Sequence, residues 1–109
     1  MKSKLAKATW ISKEVKRKVW ERDHMACIYC HRRVPVKCAN SHYIKRSQLG
    51  LGIEQNIVTA CPNCHYKYDF GVNCKDMINY TRNYLSTFYG ALKRSELTYH
   101  KYSTEDNLK

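Results

Sequence analysis

Two copies of one five-residue pattern, Cys-x-x-Cys-His, constrain the fold of this chain more than any other feature of its sequence. They are CIYCH at 27–31 and CPNCH at 61–65, in a chain of 109 residues. The pattern is typical of three kinds of site: a c-type haem attachment, half of a four-cysteine zinc site, or a redox pair. Each kind implies different chemistry, so the choice among them comes first.

The first 20 residues are basic but contain no apolar stretch of signal-peptide length, which predicts an intracellular, cytoplasmic protein. Six cysteines in a reducing compartment are poorly explained as a disulfide framework. Haem attachment of the c type usually accompanies export, and a thioredoxin-like pair would require a βαβ pattern that we do not find. The interpretation that remains is a structural, tetrahedral zinc site with four thiolate ligands, Cys27, Cys30, Cys61 and Cys64.

The charge of the chain indicates a partner that carries phosphates. Lysine and arginine number 20 against nine acidic residues, and the formal net charge is +11. DNA is the predicted partner, and the candidate contacts in the dense basic stretch KEVKRK include Lys16 and Arg17. An anionic membrane surface and a merely soluble basic surface are the alternatives. A membrane span is not expected, because no run of about 20 apolar residues occurs.

The chain length predicts a single domain over 1–109, with a helix on either side of the cysteine motifs in sequence. The first helix is expected over about 12–23, with Ser12 as its N-cap. Apolar residues at spacings of three and four predict the second over about 75–92, with its stripe in the core. The tail over 95–109 shows no clear period and is expected to be mobile. Cys38 and Cys74 are expected to be small buried side chains or free thiols.

Between the two cysteine pairs, the sequence predicts two strands and then a helix. KCANSHYI predicts the first strand, KRSQLGLGIEQ a glycine-containing loop, and NIVTAC a second strand rich in β-branched residues. A helix should begin at Pro62 and end near Gly71, because proline suits the first helical position.

Three polar residues fall at the ends of these elements in the order His-Asn-His: His42, Asn56 and His65. The stretch SHYIKRSQLGLGIEQNIVTACPNCH therefore resembles the HNH endonuclease family, of the phage or mobile-element type. The resemblance implies an α+β fold with a small, treble-clef-like ββα-metal core over about 24–70, braced by the four-cysteine zinc site. The two flanking helices complete the predicted architecture.

The resemblance also implies roles for the three residues. Phosphodiester hydrolysis needs a base that works near neutral pH and a cation that neutralises charge on the phosphate. His42 matches the general base of the family, and Asn56 matches the residue that holds the loop and so orients the base. His65 matches a ligand of the catalytic divalent cation, which would be Mg²⁺, Mn²⁺, Ni²⁺ or Zn²⁺.

The chain departs from the family pattern at position 41, where many members have an aspartate ligand and this chain has Ser41. Asp69 lies four residues after His65, so the two side chains would share a helix face, and Asp69 could supply the second ligand. A solvated Asp69 is the alternative. Lys45 and Arg46 are expected near a bound phosphate, although a solvated loop would explain them too.

The predicted function is that of a metal-dependent DNA endonuclease. The alternative is a non-catalytic zinc module that binds nucleic acid, which the serine at position 41 favours. One active site cuts one strand at a time, so a double-strand break would require a homodimer or a second encounter. A chain this small could also depend on a larger nucleoprotein complex for targeting.

Overall fold

A computed structural model of the chain describes residues 3–100. Its two short strands pair in antiparallel register, with Ser41 opposite Val58 and His42 opposite Ile57. The mixture of helices with a two-stranded sheet confirms the predicted α+β class and is consistent with an HNH-type ββα-metal core. The elements are α1 (Lys4–Thr9), α2 (Lys13–Arg22), β1 (Ser41–His42), β2 (Ile57–Val58), α3 (Pro62–Phe70) and α4 (Cys74–Tyr89).

Side-chain caps fix the starts of α2 and α3 where the sequence predicts them. The Ser12 hydroxyl accepts a hydrogen bond from the Val15 amide at 3.1 Å. Cys61 does the same for α3, since its sulfur accepts from the Cys64 amide at 3.4 Å, and Pro62 follows it at the first helical position. The apolar face of α2 contributes Val19 to the core, as its spacing predicts.

Helix α1 is an element that the sequence analysis does not predict. It has only six residues, too few for propensity or periodicity to indicate a helix. Its stability depends on contact with the loop between the strands, where the Gly52 amide donates to the Ala8 carbonyl at 2.9 Å. A Cβ at Gly52 would lie 2.0 Å from the Trp10 carbonyl oxygen, so this close approach requires glycine.

Both strands are shorter than predicted, because some of the backbone amides expected in them donate to other groups and not to the partner strand. Residues 36–38 form a 3₁₀ turn instead of a strand, and the Cys38 amide donates to the Pro35 carbonyl. After β2, the Thr59 amide donates to the Asp23 carboxylate at 2.8 Å rather than to a strand. The loop itself contains two further 3₁₀ turns, at Arg46–Gln48 and Glu54–Asn56.

The end of α4 differs from the prediction. The helix stops at Tyr89 because Gly90 adopts a positive φ of 76°, so Leu92 lies beyond it. Of the predicted core stripe, Thr81 and Leu85 are buried, whereas Phe88 is exposed.

Part of the predicted mobile tail is bound to the loop between the strands. Leu97 is buried and its carbonyl accepts from the Leu51 amide at 2.8 Å, while the Tyr99 amide donates to Leu49 at 2.8 Å. Residues 95–100 therefore pack against this loop, and the mobility of the tail stays a prediction. The remainder, 101–109, lies outside the described residues.

A buried ion pair connects α2 to the strands and to α4. Asp23 accepts two hydrogen bonds from Arg22, at 2.8 and 3.1 Å, and one from the Tyr84 hydroxyl at 2.6 Å. Arg22 also donates to the backbone carbonyls of Glu54 and Ile57.

None of the helices within residues 3–100 has both the length and the apolar character needed to cross a bilayer.

Candidate active site and zinc centre

The four cysteines of the two motifs come together as the sequence predicts. Their sulfur atoms all lie within 4.8 Å of one another, and those of Cys30 and Cys61 are 3.7 Å apart. Two ligands of a tetrahedral zinc, with Zn–S bonds of about 2.3 Å, should be separated by about 3.8 Å. The cluster therefore has the ligand set and the spacing of a structural zinc site.

The clustered thiols affect one another's ionisation. Burial opposes the ionisation of Cys61, but the amide of Cys64 and the neighbouring thiols outweigh it and lower the pKa of Cys61 to about 7. Burial and the same neighbours raise the pKa of Cys64. Because negative charges so close together repel one another, all four sulfurs can be thiolates only if a cation such as Zn²⁺ lies between them.

A separate open groove of about 640 Å³ contains most of the residues predicted for catalysis. β1 contributes His42, α3 contributes His65 and Asp69, and the loop after β1 contributes Lys45 and Arg46. Further lining residues come from the end of α1, from the segment that follows it, from α2, and from the residue before β1.

A backbone carbonyl fixes the ring of His42. Its Nε2 lies 2.9 Å from the carbonyl oxygen of Thr9, at the end of α1. A carbonyl can only accept, so Nε2 carries the proton and Nδ1 is the unprotonated nitrogen of the neutral ring. Burial lowers the pKa of His42 below its ordinary value of 6.5, although the Thr9 carbonyl opposes the shift. His42 is therefore in the form that can accept a proton at neutral pH.

Asn56 is completely buried and holds the loop between the strands. Its Oδ1 accepts from the Ile44 amide at 2.8 Å, and its Nδ2 donates to the Ile44 carbonyl at 3.1 Å and the Leu51 carbonyl at 2.8 Å. Both ends of the side-chain amide are thus engaged, and the chain directly after His42 and Tyr43 is held in one conformation.

His65 and Asp69 lie on one face of α3, as their i,i+4 spacing predicts. His65 Nε2 and Asp69 Oδ2 are 3.4 Å apart, and both side chains are partly exposed to the groove. Two atoms at this separation can bind one divalent cation at about 2.1 Å from each. An imidazole nitrogen and a carboxylate oxygen are both common ligands of Mn²⁺, Ni²⁺ and Zn²⁺.

The comparisons with known proteins agree with this arrangement. The HNH endonuclease family model matches residues 27–70. This HNH segment spans both cysteine motifs, both strands and α3, and the match confirms the resemblance found in the sequence. A match to this family indicates a nuclease. No curated protein and no solved structure matches the chain.

Within the HNH segment, Ser41 lies where the resemblance implies an aspartate in many family members. It is buried, it does not line the groove, and its hydroxyl has no hydrogen-bond partner within residues 3–100. The carboxylate in the groove comes from Asp69 instead.

The predicted DNA contacts divide into two groups. Lys16, Lys45 and Arg46 line the groove, where Lys45 donates to the Asp69 carbonyl at 3.1 Å. Arg17 is directed elsewhere and lies 3.8 Å from Glu21 in an exposed i,i+4 pair.

Several lining residues were missed by the sequence analysis. Thr9 and Trp10 lie outside the HNH segment and reach the groove only because α1 packs against the loop. Asn40 has the same strand parity as His42, which could have identified it. Phe70 could have been identified from its position one residue after Asp69 at the end of α3.

Proposed function

We propose that this protein is a metal-dependent DNA endonuclease whose active site is the groove around His42. The observation that carries the proposal is the His42 ring, which is bound at Nε2 by the Thr9 carbonyl and lines the same groove as His65 and Asp69. A histidine held in one tautomer beside a pair of metal-binding side chains has the arrangement that hydrolysis of a phosphodiester requires.

In the proposed reaction, His42 Nδ1 takes a proton from water as the water oxygen attacks phosphorus. The bond from phosphorus to one ester oxygen then breaks, and that oxygen leaves with the electron pair and takes a proton from solvent, while His42 returns its proton to solvent. Asn56 acts as a positioning residue, because it holds the chain that follows His42. His65 and Asp69 would hold a divalent cation, which when bound would neutralise charge on the phosphate and on the leaving oxygen.

DNA as the substrate is supported by charge. Of the residues that the structure describes, Lys16, Lys45, Arg46 and one carboxylate line the groove, and the chain as a whole has a formal net charge of +11. Such side chains neutralise backbone phosphates with little dependence on base sequence.

The proposal is tested by plasmid nicking with added Mg²⁺ or Mn²⁺. His42→Ala should lower the nicking rate by about 10²- to 10⁴-fold, because it removes the base. Zinc content, circular dichroism and DNA affinity should be unchanged. His100→Ala is the matched control, since that histidine is exposed and does not line the groove.

A second function, a zinc module that binds nucleic acid without cutting it, is favoured by one observation. Ser41 is buried where the resemblance implies a metal ligand, so within residues 3–100 Asp69 is the one carboxylate that lines the groove. If the His42→Ala and wild-type proteins nicked DNA equally slowly while binding it equally well, this second function would replace the first.

A further inference from the structure

Two large aromatic side chains line the candidate active-site groove and are exposed to solvent. Trp10 follows α1 and is 54% exposed, and Phe70 ends α3 and is 73% exposed. They come from elements far apart in sequence but line the same cavity as His42. Because burying such rings would stabilise the fold, their exposure at a functional groove points to a ligand.

The Phe70 ring packs against another exposed ring and not into the core. Its centroid lies 5.2 Å from that of Tyr66, at an interplanar angle of 49°, and Tyr66 is itself 65% exposed. Tyr68, two residues further along the same helix, is instead fully buried. The exposed face of α3 thus presents an aromatic pair beside the groove.

The same groove contains cationic side chains, Lys16, Lys45 and Arg46. Cations alone would fit the backbone of any nucleic acid. Aromatic rings that share a groove with cations fit a strand whose base faces are accessible, because a base can then stack on the ring. In an intact duplex each base face is covered by its neighbours in the stack.

We propose that the groove binds DNA with unpaired bases, and that Phe70 and Trp10 stack on those bases while the cations contact the phosphates. This inference deepens the proposed function, on which it rests, by naming the preferred substrate as a single strand or a locally unpaired duplex. The phosphate backbone of an unpaired stretch would lie beside His42 without any distortion of double-helical DNA.

The test measures binding separately from cleavage. Fluorescence anisotropy without added divalent cation would compare a labelled oligothymidine, an abasic strand of equal length and charge, and a perfect duplex. The wild type should bind oligothymidine more tightly than the other two. Phe70→Ala and Trp10→Ala should each weaken oligothymidine binding by about 5- to 100-fold, the factor expected for one lost stack. Binding of the abasic strand should not change.

Three matched variants control for folding and for simple loss of apolar surface. Val72→Ala, at a residue that is 98% exposed and does not line the groove, should bind all three probes as the wild type does. Phe70→Leu should resemble Phe70→Ala, because it retains apolar volume without a π face. Phe70→Tyr should restore binding.

The inference would be overturned if the wild type bound oligothymidine and the abasic strand with equal affinity. It would also be overturned if Phe70→Ala lowered the affinity for these two probes by the same factor. The two proposals fail separately. A protein that prefers unpaired bases but never nicks DNA would contradict only the proposed nuclease, whereas one that nicks without this preference would contradict only the stacking.

Discussion

Burial and four neighbouring groups act on the pKa of His42. Burial lowers the pKa of His42, the Thr9 carbonyl raises it, Arg46 and His65 lower it, and Asp69 raises it, with a net downward shift. A general base works in its neutral form, and the neutral fraction of a histidine increases as pH rises through its pKa. A lowered pKa therefore moves that increase to lower pH.

The nicking rate should accordingly rise with pH through a midpoint below 6.5, the ordinary value for histidine. A cation bound at His65 and Asp69 would repel the protonated ring and shift the midpoint in the same direction. The measurement is the rate at saturating metal from pH 4.5 to 8, in steps of about half a pH unit. A midpoint above 6.5 would show that the titrating base is a different group.

Asp69 allows a test of the metal site at the level of one atom. Asp69→Asn retains the size of the side chain but removes the charge that attracts a cation, so the metal concentration for half-maximal nicking should rise by about tenfold or more. The rate at saturating metal should recover substantially. Glu21→Gln, which removes an exposed carboxylate outside the groove, is the control. An unchanged metal dependence would mean that Asp69 is only solvated.

At single residues, sequence predicts those parts of the site that depend on local spacing. His65 and Asp69 share a face because they are four residues apart, and both line the groove as expected. The hydrogen bond between His42 and the Thr9 carbonyl could not be predicted, because every residue has a backbone carbonyl and the residue type does not show which one is used. The roles of His42, Asn56 and His65 stay predictions.

Among the elements, α1 positions His42 through a backbone atom, the Thr9 carbonyl oxygen. Its end is placed by the contact between Trp10 and Gly52, which leaves no room for a side chain. Gly52→Ala would put a Cβ 2.0 Å from the Trp10 carbonyl oxygen and so displace the adjacent Thr9 carbonyl from His42. A misplacement of about 1 Å can lower catalysis by ~10²-fold.

We therefore expect Gly52→Ala to lower nicking by ~10- to 100-fold while zinc content is retained. Gly90→Ala is the control for general destabilisation, since it strains a residue with a positive φ but meets no atom within 4 Å. If both variants lost the same activity in nicking assays at matched fractions of folded protein, α1 would have no particular role in positioning His42.

Sequence predicts the helices better than the strands for a physical reason. Helices α2 and α3 begin directly after their N-cap residues, Ser12 and Cys61, whose side chains act within three residues and are visible in the sequence. The strands end where distant side chains take their backbone partners, as Asp23 does at Thr59, 36 residues later. Such competition depends on the tertiary fold, so the predicted strands were too long.

Across the whole molecule, the zinc cluster joins two segments more than 30 residues apart, so its ligands should determine whether the domain folds. Structural zinc contributes about 10 kcal/mol or more of apparent binding free energy to small domains. Cys61→Ser should therefore lose zinc and unfold. Cys74→Ser should retain both zinc and fold, because Cys74 lies outside the cluster.

The measurements are zinc stoichiometry by metal analysis and thermal unfolding by circular dichroism. Cys38→Ser should also retain its zinc, although it places a hydroxyl in a buried position and should lower the melting temperature. A Cys61→Ser protein that kept a full equivalent of zinc would show that the four-cysteine site is wrong.

Four further statements from the sequence stay predictions: the single-domain limits, the homodimer, the phage or mobile-element type, and the cytoplasmic location.

The hydrogen bond between His42 and Thr9 crosses the boundary of the HNH segment, since Thr9 precedes residue 27. On the proposed mechanism, residues 27–70 alone therefore lack a group that the active site needs. Fused to another protein as residues 27–70 alone, it would carry the histidine without the acceptor that selects its tautomer. Any engineered chimera should retain the chain from α1 onward, and the smallest transferable nuclease is longer than its family signature.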